Sequence, residues 1–152
     1  MADLTFVTFK KEGGVFKTYI PVSQFLSSNT NIDDILKVAA NLYEQFLTAT
    51  RTELIDVNNY RMHNKPLPAR VIWRLGDKIF RFVESLAERK LEIDGIYVHL
   101  SRDFNVKRKW LEKVIIFRRY IPDEYYIPES VNWGYFEKST RRKAEELMKN
   151  FT

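Results

Sequence analysis

Residues 94–120 read DGIYVHLSRDFNVKRKWLEKVIIFRRY. Leu100, Phe104, Val106, Leu111 and Val114 are apolar and Ser101 is small, a spacing that predicts two helices sharing one seam. Asn105 falls where the first helix must stop. Asparagine tolerates the left-handed backbone region better than most residues with a Cβ, so it can close one helix and release the next. The pattern is that of a helix-turn-helix, whose two helices cross steeply and leave the outer face of the second one free. Here that face carries Lys107, Arg108, Lys109, Glu112 and Lys113.

The charge distribution points to the same stretch. Residues 1–68 hold 7 Lys/Arg and 7 Asp/Glu, whereas residues 69–152 hold 18 and 13, so the net charge of +5 resides in the second part. Between Arg102 and Arg119 there are 7 basic and 2 acidic residues. Such clustering is the electrostatic footprint of a polyanion binder, with a solvated helix face as the plain alternative. If the motif docks as such motifs do, the start of the second helix enters the DNA major groove. The guanidinium of Arg108 suits guanine O6 and N7, and Glu112 can accept from cytosine N4. Lys107, Lys109 and Lys113 suit phosphates, as do Arg102 on the first helix and Arg118 and Arg119 at the end of the second. A secondary basic cluster, Arg141, Arg142 and Lys143, crowds the first turn of the last predicted helix, where the helix dipole disfavours cations.

Moving outward, residues 69–90 predict a strong helix, with Pro68 at its first turn and a stripe of Ile72, Leu75, Gly76, Ile79, Phe82, Val83, Leu86 and Ala87. Gly76 within the stripe predicts a close helix contact. Residues 91–93 are extended, and Asp94 is positioned to cap the next helix. Residues 58–68, NNYRMHNKPLP, predict a break, with paired Asn and two prolines. Before it, Ile32, Ile35, Leu36, Ala39, Leu42, Tyr43, Phe46 and Leu47 form another amphipathic stripe, preceded by a capping-box spacing of Thr30 and Asp33. Residues 4–11 and 15–22 are rich in β-formers around Glu12-Gly13-Gly14 and predict a β-hairpin. Such a hairpin must lie on the helices or pair with a second one. After the motif, residues 121–128, IPDEYYIP, predict a turn, residues 129–138 a short helix and Ser139 the cap of a last helix through Asn150.

The expected fold is mainly α: a helix-turn-helix domain over residues 69–152, a linker over 61–68, and a hairpin with an amphipathic helix over 1–60. That first unit is a brace or dimer contact. The chain has 152 residues, with 45% hydrophobic and 14% aromatic content, enough for a core and against disorder. Cysteine is absent, which excludes disulfides and thiolate metal sites. No apolar run approaches the roughly 18 residues of a membrane span. No secretory signal is visible, so a cytoplasmic protein is expected. The abundance of Lys, Glu and Ile hints at a thermophile.

Catalysis has little to stand on. His63 and His99 are far apart in sequence and lack metal-ligand spacing. His63 reads as solvated and His99 as a surface residue of the motif. Glu88-Arg89-Lys90 has the Glu-x-Lys spacing of some nucleases, without an upstream acid on a strand. No cofactor and no metal are expected.

Trp73-Arg74-Leu75-Gly76-Asp77-Lys78-Ile79, Leu100-Ser101-Arg102-Asp103-Phe104, Trp110-Leu111 and Phe117 resemble the N-terminal helical domain of the YhcG-type, restriction-linked proteins of unknown function. Trp133 and residues 141–147 echo that family's later Trp segment and Arg-containing helix. Its Trp-x-His-Tyr signature is not reproduced, since Trp133-Gly134-Tyr135 is shorter and lacks His. The resemblance spans residues 71–148 and implies a DNA-handling helical module, without cleavage. The expected function is therefore double-stranded DNA binding by a homodimer, as a transcriptional regulator or accessory factor. One alternative is a protein-interaction or antitoxin-like module using Tyr120, Tyr125, Tyr126, Trp133, Tyr135 and Phe136. The other is RNA binding with tyrosines as stacking platforms.

Overall fold

A computed structural model describes residues 7–12, 15–19, 32–89 and 91–151. It is mainly helical. Strand β1 (Val7–Glu12) pairs antiparallel with β2 (Val15–Tyr19), in a register that sets Phe9 opposite Thr18 and Glu12 opposite Val15. The other edge of β1 pairs in parallel with β3 (Leu91–Asp94), giving the order β2-β1-β3. The hairpin, expected to lie on the helices or to pair with a second hairpin, thus pairs through β1 with the extended segment Leu91–Asp94 of the same chain. The expected strand ends at 4–6 and 20–22, and the Thr30 capping position, lie outside the described residues.

Helix α1 (Ile32–Met62) runs without a break through the paired asparagines Asn58 and Asn59, so the break expected from Asn58 onward begins later. Val57, which is buried, and Arg61, which is exposed with its guanidinium 5.1 Å from the Trp110 ring centroid, keep this last turn packed. The helix stops at Asn64, which takes φ 51°. Lys65 N–H donates to Tyr60 O at 2.9 Å and Asn64 N–H to Arg61 O at 3.1 Å, the paired closure that satisfies the last carbonyls of a helix.

Helix α2 (Ala69–Glu88) starts directly after Pro68, whose φ of −62° suits a helix start and whose missing N–H costs nothing there. Most of its stripe is buried, Ile72 and Leu75 fully and Ile79, Phe82 and Leu86 nearly so, whereas Val83 is half-buried and Ala87 is exposed. Phe82 stacks on Phe46 of α1 at 4.4 Å and meets Tyr43 edge-on at 5.9 Å. Ala39, Tyr43 and Phe46 of the α1 stripe are thus buried in the core, the role of a brace. Burial, and then its hydrogen bond to Asp103, push the Tyr43 hydroxyl well above the usual tyrosine range, so it remains a donor tying α1 to the end of the helix at Ile96–Asp103.

Helices α3 (Ile96–Asp103) and α4 (Arg108–Tyr120) follow, joined by a short turn at Asn105. Leu100, Leu111 and Val114 are fully buried and Phe104 nearly so, with Val106 half-buried beside them. Asn105 takes φ 56°, and Val106 N–H donates back to Ser101 O at 2.9 Å, the same closure that ends α1. Asp94 does not cap α3: it is the last residue of β3, and Gly95 stands at the cap with φ 65°. A residue leaving a strand must reverse direction here, and glycine adopts that left-handed geometry without strain.

The remaining chain wraps α2 and α4. Buried Ile121 and Ile127 bracket a 3-10 turn (Glu124–Tyr126), in which Asp123 accepts from Tyr125 N–H at 2.8 Å. Helices α5 (Trp133–Glu137) and α6 (Thr140–Lys149) follow. Trp133, Phe136 and Ala144 join a single buried cluster that begins at Ala39. Ser139 precedes α6 in a left-handed conformation, with no side-chain cap bond where one was expected.

Helices α2 and α4 cross at Gly76. A Cβ built there would stand 2.9 Å from both the Val114 carbonyl oxygen and the Arg118 Cβ. Backbone cannot yield cheaply, so Gly76→Ala gains about 1 kcal/mol of helix propensity but incurs the ~1–3 kcal/mol of overpacking. We expect a net loss of about 1 kcal/mol, read as a lower urea midpoint with unchanged m. An unchanged or higher midpoint would mean that α4 can retreat freely.

Candidate nucleic-acid interface

The turn at Asn105 delivers Lys107 as the residue preceding α4, in extended conformation (φ −73°, ψ 141°). Because Trp110, Leu111, Val114 and Phe117 face the core, the helical period places Arg108, Lys109 and Glu112 outward, with Lys113 half-buried at the edge of that face. Arg108 Nε lies 3.3 Å from Glu112 Oε1, both side chains being exposed. Such a pair is worth only about 0.3–0.5 kcal/mol, so Glu112 offsets charge more than it fixes structure. Arg102, Lys107, Lys109, Lys113 and Arg119 make no ion pair among the described residues. Five cations are thus available on or beside one helix.

Arg118 is not among them. Its side chain is 14% exposed and its Nε lies 2.8 Å from Asp77 Oδ1 on α2. Its guanidinium sits 4.3 Å from the Phe80 ring centroid and 5.3 Å from that of Trp73. Desolvated, paired and stacked, it holds α4 to α2 and cannot reach a phosphate. The sequence placed it at a helix end where cations are favoured, but the phase of the helix turns it inward.

The secondary cluster lies close to the first one. Lys113 and Ile116 of α4 face Ser139, Thr140, Arg141 and Arg142 of α6 across a groove of about 560 Å³, with Glu137 and Glu145 also on its walls. Arg141 pairs with Glu145 at 3.1 Å and Arg142 with Glu146 at 3.0 Å, in exposed i,i+4 pairs. Arg141 also lies over the Tyr120 ring at 5.2 Å. Lys143 turns away, donating to Tyr135 O at 2.7 Å and resting on its own partner's ring at 4.6 Å. Ile116, Ser139 and Thr140 were not foreseen as groove walls, because nothing local in the sequence relates α4 to the start of α6.

His63 is exposed, its Nδ1 2.8 Å from Asn59 O, whereas His99 is buried rather than on the motif's surface. Of the aromatic set considered for a protein partner, Trp133 and Phe136 belong to the core, and Tyr125 and Tyr135 remain exposed. Among the described residues no group of His, Asp or Glu is arranged to hold a metal ion. No described helix is long and apolar enough to cross a membrane. No family model matches the chain, and neither a curated protein nor a solved structure matches it.

The contrast between adjacent arginines is measurable. Arg118→Ala leaves Asp77 with Arg81 alone and should cost about 2–3 kcal/mol, toward the lower end for a broken buried pair. Arg119→Ala should stay within about 0.5 kcal/mol, as surface changes do. Equal denaturation midpoints for the two variants would contradict the inward placement of Arg118.

Proposed function

We propose that the chain binds double-stranded nucleic acid, with DNA as the ligand, through the outer face of α4 and the α4–α6 groove. The observation that carries this reading is the convergence of two basic clusters distant in sequence. Lys113 and Arg141/Arg142 line one groove. Lys107, Lys109 and Arg119 extend it along the exposed face of α4. A duplex offers phosphates along such a face, and each phosphate neutralised by a lysine or arginine releases counterions. The helix–turn–helix path favours DNA because the free face of its second helix has the width of the major groove.

In this reading the residues divide by role. Lys107, Lys109, Lys113, Arg119 and Arg102 meet phosphates and set affinity. Arg108 and Glu112, paired with each other in the free protein, separate to meet base edges. Arg141 and Arg142 exchange their exposed carboxylate partners for phosphates on the far side of the groove. A cytoplasmic DNA-handling factor acting as a homodimer, of the kind the YhcG-type resemblance implies, is the wider role we propose. Its dimer contact would lie outside the α1 stripe that packs on α2.

The test is fluorescence anisotropy of a labelled blunt duplex across a salt series. Wild type should bind with a steep negative slope of log K against log salt. Lys107→Ala/Lys109→Ala/Lys113→Ala should flatten that slope by about 2–3, near 0.9 for each lost phosphate contact. Lys37→Ala, an exposed change on α1, should leave it unchanged. No binding by wild type, or an unchanged slope in the triple variant, would remove α4 as the interface.

A further inference from the structure

We propose that a cavity beside the start of α4 receives one unpaired nucleobase, so that the preferred ligand is a duplex carrying an extruded or unpaired nucleotide. This rests on the nucleic-acid reading above and narrows its substrate class.

The cavity has a volume of about 650 Å³ and lies where α1, the connection before α2, α4 and α5 meet. Its walls include Arg61, Leu67, Trp110, Asn132, Trp133 and Tyr135. That volume falls within the ~300–1,000 Å³ of small-molecule sites. The connection is fixed as a wall: Trp133 N–H donates to Leu67 O at 2.7 Å, and Ala69 N–H to Val131 O at 3.0 Å.

Three features specify the occupant. The walls carry two indoles and a phenol, and flat aromatic surfaces hold nucleobases by stacking. The Trp133 indole N–H is buried and meets no acceptor among the described residues. A buried donor left unpaired is costly, and a base carbonyl or ring nitrogen would satisfy it. The side-chain amide of Asn132 has no hydrogen bond among the described residues and offers both a donor and an acceptor to a base edge. Arg61 at the rim, exposed above Trp110, supplies the cation for the backbone of the inserted nucleotide.

Position argues the same way. Trp110 sits in the first turn of α4, directly after Lys107, Arg108 and Lys109. A base leaving a duplex held on the outer face of α4 would reach the cavity around the inward flank on which Trp110 lies. Only a base already out of the stack, or extruded at a cost of unpairing, can enter.

The experiment compares a blunt duplex with the same duplex carrying one bulged deoxyadenosine, at fixed salt, by anisotropy. Wild type should bind the bulged duplex about tenfold more tightly, the scale of one stacked base. Gly134→Leu should abolish that preference while leaving blunt-duplex affinity intact. Gly134 lines the cavity and a Cβ there meets no heavy atom within 4 Å, so the side chain fills space without disturbing the fold. Trp133→Phe, which keeps an aromatic ring beside Phe117 but removes the N–H, should reduce the preference severalfold. Equal wild-type affinity for the two duplexes would overturn the base-pocket assignment and leave the α4 interface standing. A preference that survives Gly134→Leu would also overturn it, by placing bulge recognition elsewhere. Failure of wild type to bind either duplex would overturn both.

Discussion

The structure depends on how closely α2 and α4 approach at Gly76. Only a residue without a Cβ lets the Val114 carbonyl and the Arg118 stem come so near the α2 backbone. Two consequences follow from that contact. Val114, Leu111 and Phe117 are driven fully into the core, and Arg118 lies against α2, where Asp77 must neutralise it. The aspartate is shared with Arg81 at 2.8 Å, and the guanidinium of Arg118 lies over the rings of Trp73 and Phe80. Breaking such a pair leaves an uncompensated buried charge, whereas keeping it adds little net stability. Its principal effect is to fix the rotation of α4 about its own axis, and hence which cations face outward.

Helix α2 performs the same service for the rest of the chain. Arg70 donates to Ile127 O at 2.7 Å, Trp73 to Ile121 O at 2.8 Å, and Arg74 pairs with Glu124, so one column of polar side chains pins the segment between α4 and α5. One turn further along, Lys78 donates to Glu53 at 3.1 Å and to the Ala49 carbonyl, joining α2 to α1. Glu53 is 5% exposed, and a carboxylate so buried persists only with a partner. The apolar stripe of α2 supplies most of the burial, while its polar column sets register. A rigid mount for α4 results, and a rigid mount lowers the entropy that binding must overcome.

Much of this was legible from residue patterns because its causes are local. The 3-and-4 spacing of Ile72, Leu75, Ile79 and Phe82, the proline before Ala69 and the asparagine between Phe104 and Val106 each act within a turn or two of chain. Where the reading failed, the cause was a distant partner. Asn58 and Asn59 look like breakers, yet Val57 packs into the core and Arg61 onto Trp110, and tertiary burial outweighs the few tenths of a kcal/mol that asparagine costs a helix. The stop signal was present at Asn64, which alone of the three asparagines is followed within two residues by a proline, Pro66. The parallel pairing of β1 with β3 joins segments some eighty residues apart, and a run as short as Leu91–Asp94 cannot announce its partner. Arg118 and Arg119 differ only in helical phase, which sequence fixes no better than the helix boundaries. The groove between α4 and α6 is a product of tertiary packing and has no local signal beyond an excess of charge.

That excess bears on what the basic face is for. Arg141 and Arg142 occupy the first turn of α6, where the dipole opposes cations, and each precedes its glutamate by four residues, the less favourable order for an i,i+4 pair. Each term is a few tenths of a kcal/mol, too small to threaten the fold but consistently unfavourable. A sequence shaped for stability alone would place acids in that turn and bases in the last. On α4 the same holds: Lys107, Arg108 and Lys109 begin a helix that has no acid in its first turn. The start of α6 lies by a groove whose other wall is the middle of α4, at Lys113 and Ile116, and one kind of ligand, a string of closely spaced anions, would relieve both helix starts. Local rules broken in the same sense on two separate elements are what the proposed polyanionic partner would require, and a merely solvated face would not select for them.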